Sequence, residues 1–118
     1  MKLVALLLCA FGVITAAERE GNFDIRFEPT AKLQTDVQIP FEIHVNDALH
    51  KPLSSATVTL QIELPDRTRA QVFRCPATGA GVYLGKPIFP MAGEWNVYVE
   101  VRRSDEMSAR TIPFDVPE

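Results

Sequence analysis

The chain has 118 residues with 15 acidic and 12 basic side chains, which gives a formal net charge of −3. Its Lys and Arg residues are scattered along the chain, a pattern that argues against a nucleic-acid-binding protein and against attachment to an anionic membrane surface. Hydrophobic residues make up 47% of the chain. A chain of this length and composition can bury a core of its own, so we expect one domain.

The first 17 residues have the pattern of a cleaved secretory signal peptide. Lys2 supplies a positive charge, residues 3–14 form an uncharged apolar run, and residues 15–17 (Thr-Ala-Ala) are small where a signal peptidase cuts. The apolar run has about 12 residues, whereas a membrane-spanning helix needs roughly 20. We therefore expect cleavage after residue 16 or 17, no membrane span after cleavage, and an extracytoplasmic domain, periplasmic or secreted, over residues 18–118.

The two cysteines fall on either side of this cleavage site. Leu8 precedes Cys9 where a lipoprotein signal has a small residue, so we interpret Cys9 as a small apolar residue rather than a lipid anchor. Removal of the signal peptide leaves Cys75 alone, and no disulfide within the remaining chain is possible. Three roles then remain for Cys75, namely a buried apolar residue, a free thiol or an intermolecular partner. We favour the buried apolar residue.

Alternation of apolar and polar residues dominates the rest of the chain and predicts half-buried β-strands. Five clear runs follow in order, at residues 22–28, 38–46, 57–64, 95–102 and 111–116, and two weaker ones at 69–74 and 82–84. Turn residues separate the runs, and no stretch of about 11 residues keeps a helical period. About seven short strands predict an antiparallel β-sandwich. Pro40 and Pro113 lack a backbone N–H, so each is expected at an edge, a bulge or a strand start.

Three aromatic residues in these runs bear on function. Trp95 shares a face with the valines of its strand, so we expect it in the core with residues such as Phe41 and Leu60, rather than on a ligand-binding surface. Tyr83 and Tyr98 are candidates for a binding surface.

No constellation of side chains predicts an enzyme. The two histidines are His44, on the predicted solvent face of a strand, and His50, in a turn, and no nucleophile motif stands near either. The chain has no glycine-rich phosphate loop and no Cys/His spacing for zinc. The acidic pairs at 18/20 and 105/106 are typical of solvated charge. We therefore expect no catalytic residue and no cofactor.

A succession of short motifs runs along the chain. In order they are Phe41-Glu-Ile-His-Val-Asn-Asp, Lys51-Pro leading to Ala56-Thr-Val, Gly81-Val-Tyr, Phe89-Pro-Met-Ala-Gly-Glu-Trp-Asn-Val-Tyr-Val and Phe114-Asp-Val. From Val37 to the C-terminus this pattern resembles the YtkA-like family, to which the FixH-like proteins are related. The resemblance implies a small immunoglobulin-like sandwich outside the cytoplasmic membrane. It also implies a turn of positive φ before Lys51, where His50 stands in place of the glycine common in the family.

The resemblance, together with the lack of a catalytic constellation, predicts a non-enzymatic binding or accessory module of the cell envelope. Its partner would be an envelope protein of unknown identity, contacted through an edge strand or a loop. The alternative is a copper-handling or oxidase-assembly accessory protein that uses Met and His ligands, and a small hydrolase is a third, remote class.

The candidates for a copper site are Met91 and His50, and they are weak ones. Turns of a sandwich can meet at one end, so a pairing of these two side chains remains open at this stage. The Met-rich stretch found in some family members is replaced here by residues 64–68 (Leu-Pro-Asp-Arg-Thr). We therefore expect no specific metal site.

Overall fold

Nine β-strands make up the part of the chain that the structure describes. The structure is a computed structural model that describes residues 19–118, so the predicted signal peptide lies outside the described residues. In chain order the strands are β1 Arg19–Glu20, β2 Asp24–Pro29, β3 Phe41–Asn46, β4 Thr57–Glu63, β5 Gln71–Arg74, β6 Ala77–Gly79, β7 Val82–Gly85, β8 Gly93–Arg103 and β9 Glu106–Val116. Residues 19–118 contain no helix that is long and apolar enough to cross a membrane.

The strands form two sheets that pack face to face. One sheet has the order β1-β9-β8-β4-β5 and the other β2-β3-β7-β6. Every pairing between these strands is antiparallel except the short parallel contact of β1 with β9. From β2 to β9 the strands follow the A-B-C-C′-D-E-F-G order of an immunoglobulin-like sandwich, with A-B-E-D in one sheet and G-F-C-C′ in the other. The predicted fold class is confirmed.

The strand prediction missed the short elements and the start of the last one. β1 has two residues and β6 has three, which is too few for an alternation to be visible. β9 begins at Glu106 instead of residue 111, and it pairs with β8 over its full length. No residue in 106–110 is buried, so this half of β9 has no apolar face for the sequence to mark.

The core lies between the sheets and is rich in aromatic rings. Trp95 on β8 is fully buried, and its ring centroid lies 5.7 Å from that of Phe89. Phe41 lies 6.4 Å from Phe89 and, like Leu60, is fully buried in the same cluster. The Trp95 indole N–H donates to the Met91 carbonyl at 2.9 Å. The prediction that Trp95 is a core residue is confirmed.

Both prolines lie where no ladder hydrogen bond is lost. Pro40 immediately precedes β3, and Pro113 lies opposite Asn96 in β9. In the described sheets β1 covers β9 only at Glu106 and Met107, so the far side of Pro113 is an open edge. The expected strand-start or edge placement is confirmed.

Candidate functional site

The two tyrosines point in opposite directions. Tyr83 on β7 is 1% exposed, and its hydroxyl donates to the Leu53 carbonyl at 2.6 Å and accepts from the Ala56 N–H at 3.3 Å. Tyr83 thus holds the β3–β4 connection against the core, so its candidacy for a binding surface is wrong. Tyr98 on β8 is partly exposed on the outer face of its sheet and donates to Glu100 at 3.0 Å. Burial and the neighbouring Glu100 carboxylate raise the pKa of Tyr98.

Cys75 is a buried free thiol that follows β5. The residue as a whole is 4% exposed, and its N–H donates to the Val58 carbonyl at 2.9 Å. Burial raises the pKa of the Cys75 thiol to about 11, so at neutral pH the thiol is protonated and a poor nucleophile. Of the three roles left open by the sequence, the structure supports the buried apolar residue.

We expect Cys75 to be alkylated slowly in the folded protein. Against an ordinary thiol of pKa 9.0, a pKa of about 11 lowers the thiolate fraction at neutral pH about a hundredfold. Raising the pH towards 11 should therefore speed the reaction, and unfolding in urea should speed it further by removing burial. Mass spectrometry after timed iodoacetamide treatment measures both rates. Labelling of the native protein as fast as the unfolded chain would show that Cys75 is accessible.

His50 shapes the loop between β3 and β4. It has a φ of 64°, so the positive-φ turn implied for the position before Lys51 is confirmed. Its N–H donates to the Asp47 carbonyl at 3.0 Å, while an Asp47 carboxylate oxygen accepts from the N–H groups of Leu49 at 2.8 Å and Lys51 at 3.0 Å. The two bonds to the carboxylate, chiefly the one from Lys51, lower the pKa of Asp47. The backbone role of His50 in a turn explains its position without a ligand.

Met91 and His50 lie at opposite ends of the sandwich. Met91 comes two residues before Gly93, the first residue of β8. The His50 N–H donates to the Asp47 carbonyl. The charge of Arg103, the last residue of β8, helps to lower the pKa of the Asp47 carboxyl, so Asp47 lies near that end of β8. Since β8 has 11 residues, its ends are about 30 Å apart. The structure therefore does not bring the two candidate ligands together.

The other histidine pairs with a carboxylate. His44 Nε2 lies 2.9 Å from a Glu42 oxygen on the outer face of β3. Among residues 19–118, no group of three or more His, Cys, Asp or Glu side chains is placed to hold a metal ion. The described residues thus form no such group around either histidine.

We expect the protein without its signal peptide to release Cu(I) to a competing chelator. Thioether and imidazole ligands suit copper, but a site needs several of them to converge. In a titration against bicinchoninate, the parent protein and Met91→Leu should behave alike. One-to-one retention of copper that Met91→Leu abolishes would establish metal handling instead.

The open edge of β5 is a candidate binding surface. Within the described sheets, β5 is the terminal strand and pairs with β4 alone. Cys75 donates its N–H to Val58 on β4, and bonding alternates along an antiparallel ladder. Phe73 therefore points its N–H and C=O at β4, whereas Val72 and Arg74 point theirs at the open side. Such a row of unpaired backbone groups is a template for another strand.

A groove of about 480 Å³ runs beside this edge. Its apolar lining comes from both sheets and comprises Val72, Phe73, Pro76 and Leu84. Val72 is 63% exposed, and Phe73 turns inward and is partly buried against the core. An open backbone edge and an apolar groove thus meet at one place.

The same edge is positively charged. Arg74 and Lys86 line the groove, Arg69 lies two residues before β5, and all three are exposed. None of them forms an ion pair with a described residue. The one carboxylate in residues 65–74 is Asp66, which accepts from the Thr68 N–H at 3.0 Å and from its hydroxyl. The basic edge thus combines two arginines of one segment with Lys86, which lies 12 residues after Arg74.

Sequence comparison places these features in a family. No curated protein is similar enough to the chain to count as a match. The model of a family described as YtkA-like matches residues 15–100, which include β5 and the groove. The closing motif at Phe114 lies beyond this match. Since the match covers most of the chain, the protein belongs to the YtkA-like family.

Proposed function

We propose that the protein is a non-enzymatic accessory module of the cell envelope, exported from the cytoplasm, that binds an extended segment of a partner protein along β5. The observation that carries the proposal is the unpaired edge of β5 beside an apolar groove. Membership of the YtkA-like family and the sandwich fold support an accessory module.

An extended segment can join β5 as one further strand of the sheet. The outward N–H and C=O groups of Val72 and Arg74 then supply four main-chain hydrogen bonds. At about 0.5–1.5 kcal/mol each, these bonds contribute about 2–6 kcal/mol. This range does not clearly exceed the cost of association, so the groove must contribute as well.

The groove supplies the remaining affinity and the selectivity. Alternate side chains of an added strand point to the same side as Phe73, towards the space between the sheets. One large apolar side chain buried there adds about 1.5–3 kcal/mol. Together these terms favour a reversible contact rather than a permanent complex.

Photo-crosslinking in the native cells tests this contact. Benzoylphenylalanine at Gln38, which lines the groove, should yield a discrete adduct, whereas the same residue at Lys51, which is exposed in a loop outside the groove, should not. Val72→Pro should remove the adduct, because it deletes an outward N–H. Val72→Thr, which keeps that N–H, should retain it.

The Val72→Pro variant should stay folded, because proline is tolerated on an edge strand where its nitrogen faces solvent. Thermal melting by circular dichroism checks this. A short, charged edge is also a common protection against aggregation. If the Gln38 position gives no adduct, or if its adduct survives Val72→Pro in a folded protein, β5 has only that protective role.

A further inference from the structure

We infer that the segment bound along β5 is acidic, with apolar residues alternating with Asp or Glu. The inference rests on the proposed function, since it names the chemistry of the segment that the edge receives. The observation behind it is the coincidence of apolar lining and exposed cationic groups around one groove.

The alternation follows from the geometry of β5. Phe73 faces inward while Val72 and Arg74 face outward, because Phe73 pairs with the buried Leu60 of β4. An added strand therefore presents one set of side chains to Phe73 and the groove, and the other set to Arg74. Apolar residues suit the first set and carboxylates the second, since opposite charges on neighbouring strands attract.

The cations at this edge are available to a partner. Arg69, Arg74 and Lys86 are exposed and make no ion pair within residues 19–118. Arg67, by contrast, already lies 3.6 Å from Glu63. Acidic side chains from outside are thus the complementary chemistry for three positive charges.

A second copy of this chain does not fit the same edge. Two β5 strands side by side would bring Arg69 and Arg74 of both copies onto one short edge. Residues 67–74 contain no carboxylate to separate them. Like charges on neighbouring strands repel, so the charge pattern disfavours self-pairing and favours an acidic partner.

Two synthetic peptides provide the probe. Both are ten residues long and blocked at each end; one alternates valine with glutamate and threonine, and the other has lysine in place of each glutamate. Each is titrated into the 15N-labelled protein lacking its signal peptide, and amide shifts are followed by NMR. The glutamate peptide should shift the amides of Val72 and Arg74 and bind at least tenfold more tightly than the lysine peptide.

Charge reversal provides the control. The double variant Arg74→Glu with Lys86→Glu should invert the preference between the peptides. Lys32→Glu with Lys51→Glu makes the same change in net charge at exposed lysines outside the groove, and it should leave the preference unchanged. Equal binding of both peptides at β5 would overturn the acidic inference and leave edge binding intact. If neither peptide shifts Val72 or Arg74, both the inference and the proposed edge contact are overturned.

Discussion

Trp95→Ala is expected to lower the free energy of unfolding by about 3–5 kcal/mol. Trp95 is fully buried, packs 5.7 Å centroid to centroid against Phe89, and donates its indole N–H to the Met91 carbonyl. Its truncation therefore creates a cavity between the sheets and removes a buried hydrogen bond. Because small domains are stable by about 5–15 kcal/mol, the variant should be close to unfolding. Urea titration followed by circular dichroism measures the loss.

Two further variants serve as controls for this loss of stability. Trp95→Phe keeps a ring in the core and loses the indole N–H, so it should cost less than Trp95→Ala. Tyr98→Ala removes an aromatic residue from the outer face of the same strand and should have a small effect. If Trp95→Ala melted with the parent protein and lost a ligand instead, Trp95 would be a binding residue.

Gly81→Ala is expected to cost about 2–4 kcal/mol, from left-handed strain and overpacking. Gly81 has a φ of 69°, and a Cβ at this position would lie 2.8 Å from both the Val45 carbonyl oxygen and the Pro52 Cβ. The Val45 carbonyl oxygen is held in place because it accepts the Leu53 N–H at 2.9 Å. Gly81 is held as well, since it accepts the Val45 N–H at 2.8 Å and donates to Ser54 at 3.2 Å. The urea midpoint should fall accordingly.

Two other glycines separate the causes. Gly93 has a φ of 123°, and a Cβ added there would meet no atom within 4 Å beyond its chain neighbours, so Gly93→Ala tests backbone strain without a clash. Gly79 does not have a positive φ, and a Cβ added there would meet only Val82, at 3.8 Å. Gly79→Ala should therefore be nearly neutral. If Gly81→Ala were as mild as Gly79→Ala, the close contact with Val45 and Pro52 would be contradicted.

The sequence predicts the sandwich well because most of its strands have one buried face. In β3 and β8 every second residue is buried, which is the alternation that the sequence displays. The same logic places Trp95 in the core. Tyr83 is misjudged because an aromatic residue with a hydroxyl suits a surface as well as a core. Its burial depends on two backbone partners, in Leu53 and Ala56, that only the fold brings near.

The candidate site is much less visible in the sequence. β5 is exposed apart from Phe73, so its alternation is weak and the sequence marks it only as a faint strand. Its position at the end of a sheet depends on strand order. The groove needs Leu84 from the other sheet and Lys86 just after β7, which lie 10 or more residues further along the chain. A basic edge built from separated residues leaves no charge run to detect.

Amide hydrogen exchange in the isolated protein tests the central claim, that β5 presents an unpaired backbone edge. If the edge is open, Val72 and Arg74 should exchange rapidly with solvent. Phe73 and Cys75, whose N–H groups face β4, should exchange slowly. NMR after transfer into D2O resolves the four amides individually. Protection of Val72 and Arg74 as strong as that of Phe73 and Cys75 would contradict the account, because no free backbone would then remain for a partner strand.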